Sequence, residues 1–216
     1  LSVAIVVGDE VGNSFISKMK ETMKTLKVGA YNESSNDFGP LITEDHRNKV
    51  ASYIKSAEDQ GATIAVDGRD IKVKGYENGF FLGATLIDNV TPSMTSYKEE
   101  IFGPVLQVIR ANNMQEAMDI INDHEYANGT CIFTRDGEAA RYFSDQIKVG
   151  MVGINIPLPV PVSYHSFGGW KRSLFGDLFA YGPDGVKFYT RRKTITQRWP
   201  SAGVREGKEF SMPTMK

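Results

Sequence analysis

Three groups of residues in this chain have side chains or backbone suited to holding a ligand. They are the adjacent carboxylates Glu99-Glu100, followed at once by Ile101-Phe102-Gly103-Pro104; the single cysteine, Cys131; and the Gly168-Gly169 pair behind Phe167. An ionised carboxylate accepts hydrogen bonds and cannot donate them, so it suits a ligand that offers hydroxyl groups. On residue types alone, Lys98 to Val105 also reads as a solvated helix end turning into a loop. Pro104 disfavours helix at Gly103, and the apolar run Val105-Leu106-Gln107-Val108-Ile109 reads as a strand. The acidic pair therefore sits on a loop entering a strand, a position where a rigid scaffold can hold binding residues.

Cys131 is the obvious place to look for a nucleophile, but its surroundings argue for a small core residue. Thr130-Cys131-Ile132-Phe133-Thr134 is a short apolar strand after an Asn128-Gly129 turn, and no sequence neighbour would activate the thiol. A lone cysteine excludes an intrachain disulfide and fits a reducing compartment. His46, His124 and His165 show no metal-ligand spacing with one another, with Cys131 or with acids, so no metal is expected. Of the three, only His165 lies near a candidate site loop, and it reads as a surface residue. No serine nucleophile elbow or phosphate-binding glycine loop is present; Gly168-Gly169 is too short for the latter and reads as a tight turn permitting close backbone approach.

The elements that must position these residues alternate. Leu1 to Val7 is an apolar, β-branched run expected to form a buried strand. Phe15, Met19, Met23 and Leu26 share one face of a helix, and Thr43 caps a second with Val50, Tyr53, Ile54 and Ala57 inward. Asn113 with Glu116 forms a capping box for a third helix, with Met114, Ala117, Met118 and Ile121 inward. A fourth runs from Gly137 to Ile147 and buries Phe143 and Ile147. Strands are expected near Thr63 to Val66, Val105 to Ile109, Thr130 to Thr134 and Met151 to Asn155. Gly185 to Trp199 is a long extended run rich in β-formers and basic side chains, and from Pro200 onward the chain reads as a surface tail. The alternation gives an α/β layer fold. With 216 residues, 41% hydrophobic and 24% charged, there is enough apolar surface for a sizeable core. A net charge of −1 gives no reason to expect nucleic acid or an anionic membrane as partner, and no apolar run reaches transmembrane length.

The octet Lys98 to Val105 resembles the Glu-Glu-Ile-Phe-Gly-Pro signature of the NAD(P)-dependent aldehyde dehydrogenases, and the likeness continues to the end of the chain. Asn155 and then Ser166-Phe167-Gly168-Gly169-Trp170-Lys171-Arg172-Ser173 follow the family's Asn and its Pro-Phe-Gly-Gly-x-Lys-x-Ser block, with Ser166 in place of the usual Pro and Leu174 in place of a usual Gly. The proline-spaced insert Ile156-Pro157-Leu158-Pro159-Val160-Pro161-Val162 and the segment Phe188 to Thr196 look like the CoA-acylating methylmalonate-semialdehyde branch, and Ser211-Met212-Pro213-Thr214-Met215 looks like the tails of its eukaryotic members.

The resemblance implies a C-terminal piece of such an enzyme, with the catalytic Cys upstream of Leu1 and the dinucleotide-binding domain mostly missing. Residues 1–155 would be the C-terminal part of the catalytic domain, 156–184 substrate-tunnel and linking loops, 185–199 an oligomerisation strand and 200–216 a surface tail. Glu100 would take the hydroxyls of the nicotinamide ribose, Phe102 would pack against the nicotinamide ring, and Phe167, Gly168 and Gly169 would lie in the substrate region. The implied reaction oxidises methylmalonate or malonate semialdehyde with NAD through a thioacyl-enzyme that CoA attacks, giving propanoyl-CoA or acetyl-CoA in valine and pyrimidine breakdown. The implied partners are the semialdehyde, CoA and further copies of the chain, as a dimer or tetramer. The implied compartment is the mitochondrial matrix, with cytoplasm as the alternative. A water-using aldehyde dehydrogenase branch and a non-catalytic oligomerisation partner are the competing readings.

Overall fold

A computed structural model describes residues 2–197 and residue 199, and the chain divides into two compact units, Leu1–Val160 with Gly168–Phe175, and Pro161–Phe167 with Gly176–Lys216. The centre of the first is a four-stranded sheet in the order β1-β4-β3-β2, built from β1 (Val3–Val7), β2 (Thr63–Val66), β3 (Thr85–Asp88) and β4 (Val105–Ala111). β1, β4 and β3 run parallel, whereas β2 pairs antiparallel with β3.

β4 is the spine, and its alternation sorts the core. Side chains two apart share a face, so Val105 and Ile109 pack with Val50, Tyr53, Ile54 and Ala57 of helix α2 (Glu44–Asp59), while Leu106 and Val108 join Val6 and Ile16 beneath α1 (Asp9–Thr25). Phe15, Met19 and Met23 add to that second face, as their spacing predicts. The Thr43 hydroxyl caps α2 by accepting from the His46 N–H at 3.1 Å.

A third cluster, Met118, Ala127, Phe143, Ile147 and Val149, lies among α4 (Met114–Asp123), α5 (Gly137–Gln146) and the parallel pair β6 (Gly129–Ile132) and β7 (Met151–Ile154). β5 (Tyr126–Ala127) pairs antiparallel with β8 (Trp170–Lys171). Asn113 caps α4, but the Glu116 carboxylate reaches Asn112 in place of the cap residue itself, so the capping box is displaced by one residue.

Three expectations are corrected. β1 is an edge strand paired only with β4 among the described residues, and Val6 is its one buried residue, because no strand covers its other side. Leu26 is the exposed C-cap of α1, not part of its buried face. The extended run expected from Gly185 begins as a helix, α6 (Pro183–Tyr189). Pro183 supplies a helical φ at the first position, Gly182 takes φ +64°, and the Ser166 hydroxyl accepts the Asp184 N–H at 3.1 Å; this N-terminal arrangement overrides the β preference of Val186, Phe188 and Tyr189, which stay exposed. Residues 191–197 follow without a ladder partner among the described residues, and the tail from Pro200 lies outside them. No described helix is long and apolar enough to cross a membrane.

Candidate functional site

The loop between the one-turn helix α3 (Thr95–Lys98) and β4 carries the paired carboxylates, and each of its residues is held differently. Glu99 folds back, its N–H donating to the Thr95 carbonyl at 3.0 Å and its carboxylate accepting from the Tyr53 hydroxyl. Tyr53 is only 5% exposed, and the Glu99 carboxylate, with burial, raises its phenol above the ordinary tyrosine range. Glu100 is exposed and carries no side-chain hydrogen bond or ion pair among the described residues. Ile101 drops into the core cluster, and Phe102 turns outward again with 76% of its surface exposed. The segment thus alternates out, in, out, with Ile101 as its anchor.

Phe102 also has φ +54°, a left-handed conformation that a bulky residue adopts only when its surroundings enforce it. The His46 ring supplies one such constraint. Its Nε2 lies 2.9 Å from the Phe102 carbonyl oxygen, which can only accept, so that nitrogen carries the hydrogen. Gly103 supplies another: a Cβ there would lie 2.8 Å from a Val50 methyl, so the backbone presses against α2 as only glycine allows. Beyond it, the Thr85 N–H donates to the Pro104 carbonyl at 2.8 Å and joins the loop to β3.

The second group is built elsewhere, on the corner between α4 and β5. Gly168 and Gly169 make the close backbone approach expected of them: a Cβ on Gly150 would sit 2.0 Å from the Gly168 carbonyl, and one on Gly169 would sit 3.1 Å from the Asn128 Cα. The residues after them fasten the block. The Lys171 ammonium donates to the Asn122 and His124 carbonyls at 2.6 and 2.8 Å at the end of α4, and the Ser173 hydroxyl accepts from the Ala127 N–H at 3.0 Å. Asn155 has φ +57° and exchanges two hydrogen bonds of 2.9 Å with the Thr134 backbone, prolonging the β6–β7 pairing past the strand ends. Phe167 belongs to the other compact unit, where its ring stacks on Tyr181 at 4.8 Å.

Cys131 lies half-buried on β6, and burial pushes its thiol above the ordinary cysteine value, which disfavours the thiolate a nucleophile needs. His165 is exposed against Tyr164, and no group of three potential metal ligands converges among the described residues. Sequence reasoning did not find His46 or the contact of Tyr53 with Glu99. A signal was present, since His46, Val50 and Tyr53 recur at the i, i+4, i+7 spacing of one helix face.

The mixed α/β unit thus projects a carboxylate without a partner among the described residues and an exposed aromatic ring from the loop entering β4. The Aldehyde dehydrogenase family profile matches residues 2–195, and the chain belongs to that family. It is 63% identical over its whole length to the malonate-semialdehyde dehydrogenase of Pseudomonas aeruginosa, covering 43% of that protein, and 47% identical to the acylating, mitochondrial methylmalonate-semialdehyde/malonate-semialdehyde dehydrogenase of Bos taurus, covering 40%. A crystal structure of a Sinorhizobium meliloti protein complexed with NAD superposes with a TM-score of 0.89 at 53% identity, matching 94% of this chain and 41% of that one. The chain thus spans about two fifths of the length of the curated relatives it matches.

Proposed function

We propose that this chain is the nicotinamide-positioning part of an NAD-dependent, CoA-acylating methylmalonate- or malonate-semialdehyde dehydrogenase. The observation that carries this reading is the arm Glu100-Ile101-Phe102, with an unengaged carboxylate and an exposed ring on either side of a buried anchor. Those two groups fit a nicotinamide riboside: the carboxylate is acceptor-only and can take both ribose hydroxyl protons, and the Phe102 ring offers an apolar face to a flat heterocycle. NAD, when bound, accepts the hydride. The chain's own residues hold and orient. Glu100 fixes the ribose and Phe102 limits the tilt of the ring. Orientation matters to rate, because reaction requires the reacting atoms near contact distance and aligned.

In this reading residues 1–155 belong to the catalytic domain and 156–184 to linking loops around the substrate region of Phe167, Gly168 and Gly169. The assembly segment begins after α6, where residues 191–197 have no ladder partner among the described residues and another copy of the chain could pair them. CoA and the semialdehyde are the small-molecule partners. The mitochondrial matrix, as in the printed name of the bovine relative, is the compartment of this reading, with cytoplasm as the alternative.

The test is Glu100→Ala and Glu100→Gln in the full-length protein, with NAD binding measured by calorimetry. Loss of charge-assisted hydrogen bonds should weaken binding roughly tenfold or more in the alanine variant and less in the glutamine variant. Unchanged affinity with unchanged melting temperature would remove Glu100 from the cofactor site.

A further inference from the structure

We propose that one face of α2 is the positioning device for this arm, with His46 and Tyr53 selecting which carboxylate of the pair meets the cofactor and which way Phe102 points. The inference rests on the reading of Glu100 and Phe102 as the nicotinamide-riboside contacts.

Three consecutive turns of α2 take hold of three points on the loop: His46 the Phe102 carbonyl, Val50 the Gly103 backbone and Tyr53 the Glu99 carboxylate. The partners lie 56 and 46 residues apart along the sequence for the two hydrogen bonds, so no local turn rule creates them. Adjacent glutamates are chemically equivalent until something distinguishes them. Tyr53 does so here. Its hydroxyl occupies Glu99, and Glu100 is left as the member of the pair free to accept from a ligand. His46 then holds the left-handed residue by its carbonyl, which fixes the backbone from which the exposed ring projects, with Ile101 pinned in the core between Phe102 and Glu100. Neither side chain needs to touch the cofactor. Both are positioning residues, and their loss would leave the arm present but mobile, with binding weakened through lost preorganisation.

The experiment uses Tyr53→Phe, His46→Ala and His46→Gln in the full-length protein, beside Glu100→Ala. Phenylalanine keeps the ring of Tyr53 in the core and deletes only the hydroxyl; glutamine can still present an amide N–H near the Phe102 carbonyl. Calorimetric NAD affinity is the first readout, and stopped-flow hydride transfer at saturating NAD is the second. Tyr53→Phe and His46→Ala are expected to weaken NAD binding about fivefold to tenfold, with His46→Gln restoring most of it, and with a smaller change in the saturated rate. If Tyr53→Phe and His46→Ala bind NAD as the parent does while Glu100→Ala does not, the positioning role is wrong and the cofactor site stands. If Glu100→Ala also binds normally, the cofactor reading fails with it. A His46→Gln protein as weak as His46→Ala at an equal melting temperature would count against the hydrogen bond as the cause. Should His46→Ala not fold, the Tyr53→Phe titration decides alone.

Discussion

Gly103→Ala tests the seat of the arm by geometry. An alanine Cβ would lie 2.8 and 2.9 Å from the two methyls of Val50, a residue with no exposed surface. Nothing flexible can yield there, because a β-branched valine in a helix is confined to essentially one rotamer. Either the loop lifts or α2 shifts, at a cost of about 1–3 kcal/mol for overpacking. Val50→Ala alone removes the two methyls from a filled core and should cost about 2 kcal/mol. The double variant then has the space that the single one lacks, so the two costs should fail to add by about 1 kcal/mol in the favourable direction. The assay is urea unfolding of the parent, both single variants and the double variant at one pH, compared by their midpoints. Additivity of the midpoint shifts to within about 0.5 kcal/mol would mean that Gly103 and Val50 do not press on one another, and the geometric case for α2 as the seat of the arm would collapse.

Asp88 accepts from Arg110 at 3.1 and 2.8 Å at the ends of β3 and β4, where Asp88 is 5% exposed, so Asp88→Ala should cost about 1.5–3 kcal/mol by removing two charge-assisted hydrogen bonds while the guanidinium keeps Asn13 at 2.9 Å; a midpoint shift worth less than about 0.5 kcal/mol contradicts that. Lys171→Met should loosen the end of α4 by about 0.5–1 kcal/mol, read as faster amide exchange in its last turn, and unaltered exchange there would deny the cap. The Arg69 guanidinium holds the Asp67 carboxyl below its ordinary value of 3.8, so the pair adds stability that is present above that pH and lost as the pH falls through the lowered folded-state value. The stability difference between parent and Asp67→Asn should therefore shrink as acid is added below pH 3.8; a constant difference down to pH 2 would refute it. Cys131→Ser in the full-length protein should leave steady-state aldehyde oxidation within about twofold, and abolished turnover in a folded variant would return Cys131 to the list of nucleophiles.

Much of this architecture could be read from periodicity, because α1, α2, α4 and α5 each bury one stripe and β4 alternates between two cores. β3 escaped notice. It is four residues long, and its ends, Thr85 and Asp88, look like loop residues although both are buried. Their polarity is met by partners far away in sequence, the Gly68 N–H on Thr85 and Arg110 on Asp88, which no local pattern reveals. α6 departs from expectation for the opposite reason: its side chains favour strand, and its helix is set by Pro183, Gly182 and the Ser166 hydroxyl, 18 residues before Asp184. The motif residues Glu100 and Phe102 were legible as a resemblance, whereas His46 and Tyr53 were not, since a histidine at a helix start and a tyrosine on a buried stripe have ordinary explanations until their distant partners are seen.

The order of strands in the sheet also sets an order of events. β4 pairs with β3 across a short stretch of chain, Thr85 opposite Val105, but with β1 across nearly half of the chain, Val3 opposite Gln107. Closing the long loop carries the larger entropic penalty, so α2, β3 and β4 should assemble as an early nucleus and β1 should join last. The arm at the head of β4 would then acquire its shape before the sheet is complete. In pulse-labelled refolding, protection of the Thr85 amide, which donates to the Pro104 carbonyl, is expected to precede that of the Gln107 amide, which donates to the Ser2 carbonyl, and simultaneous protection would show a single concerted closure.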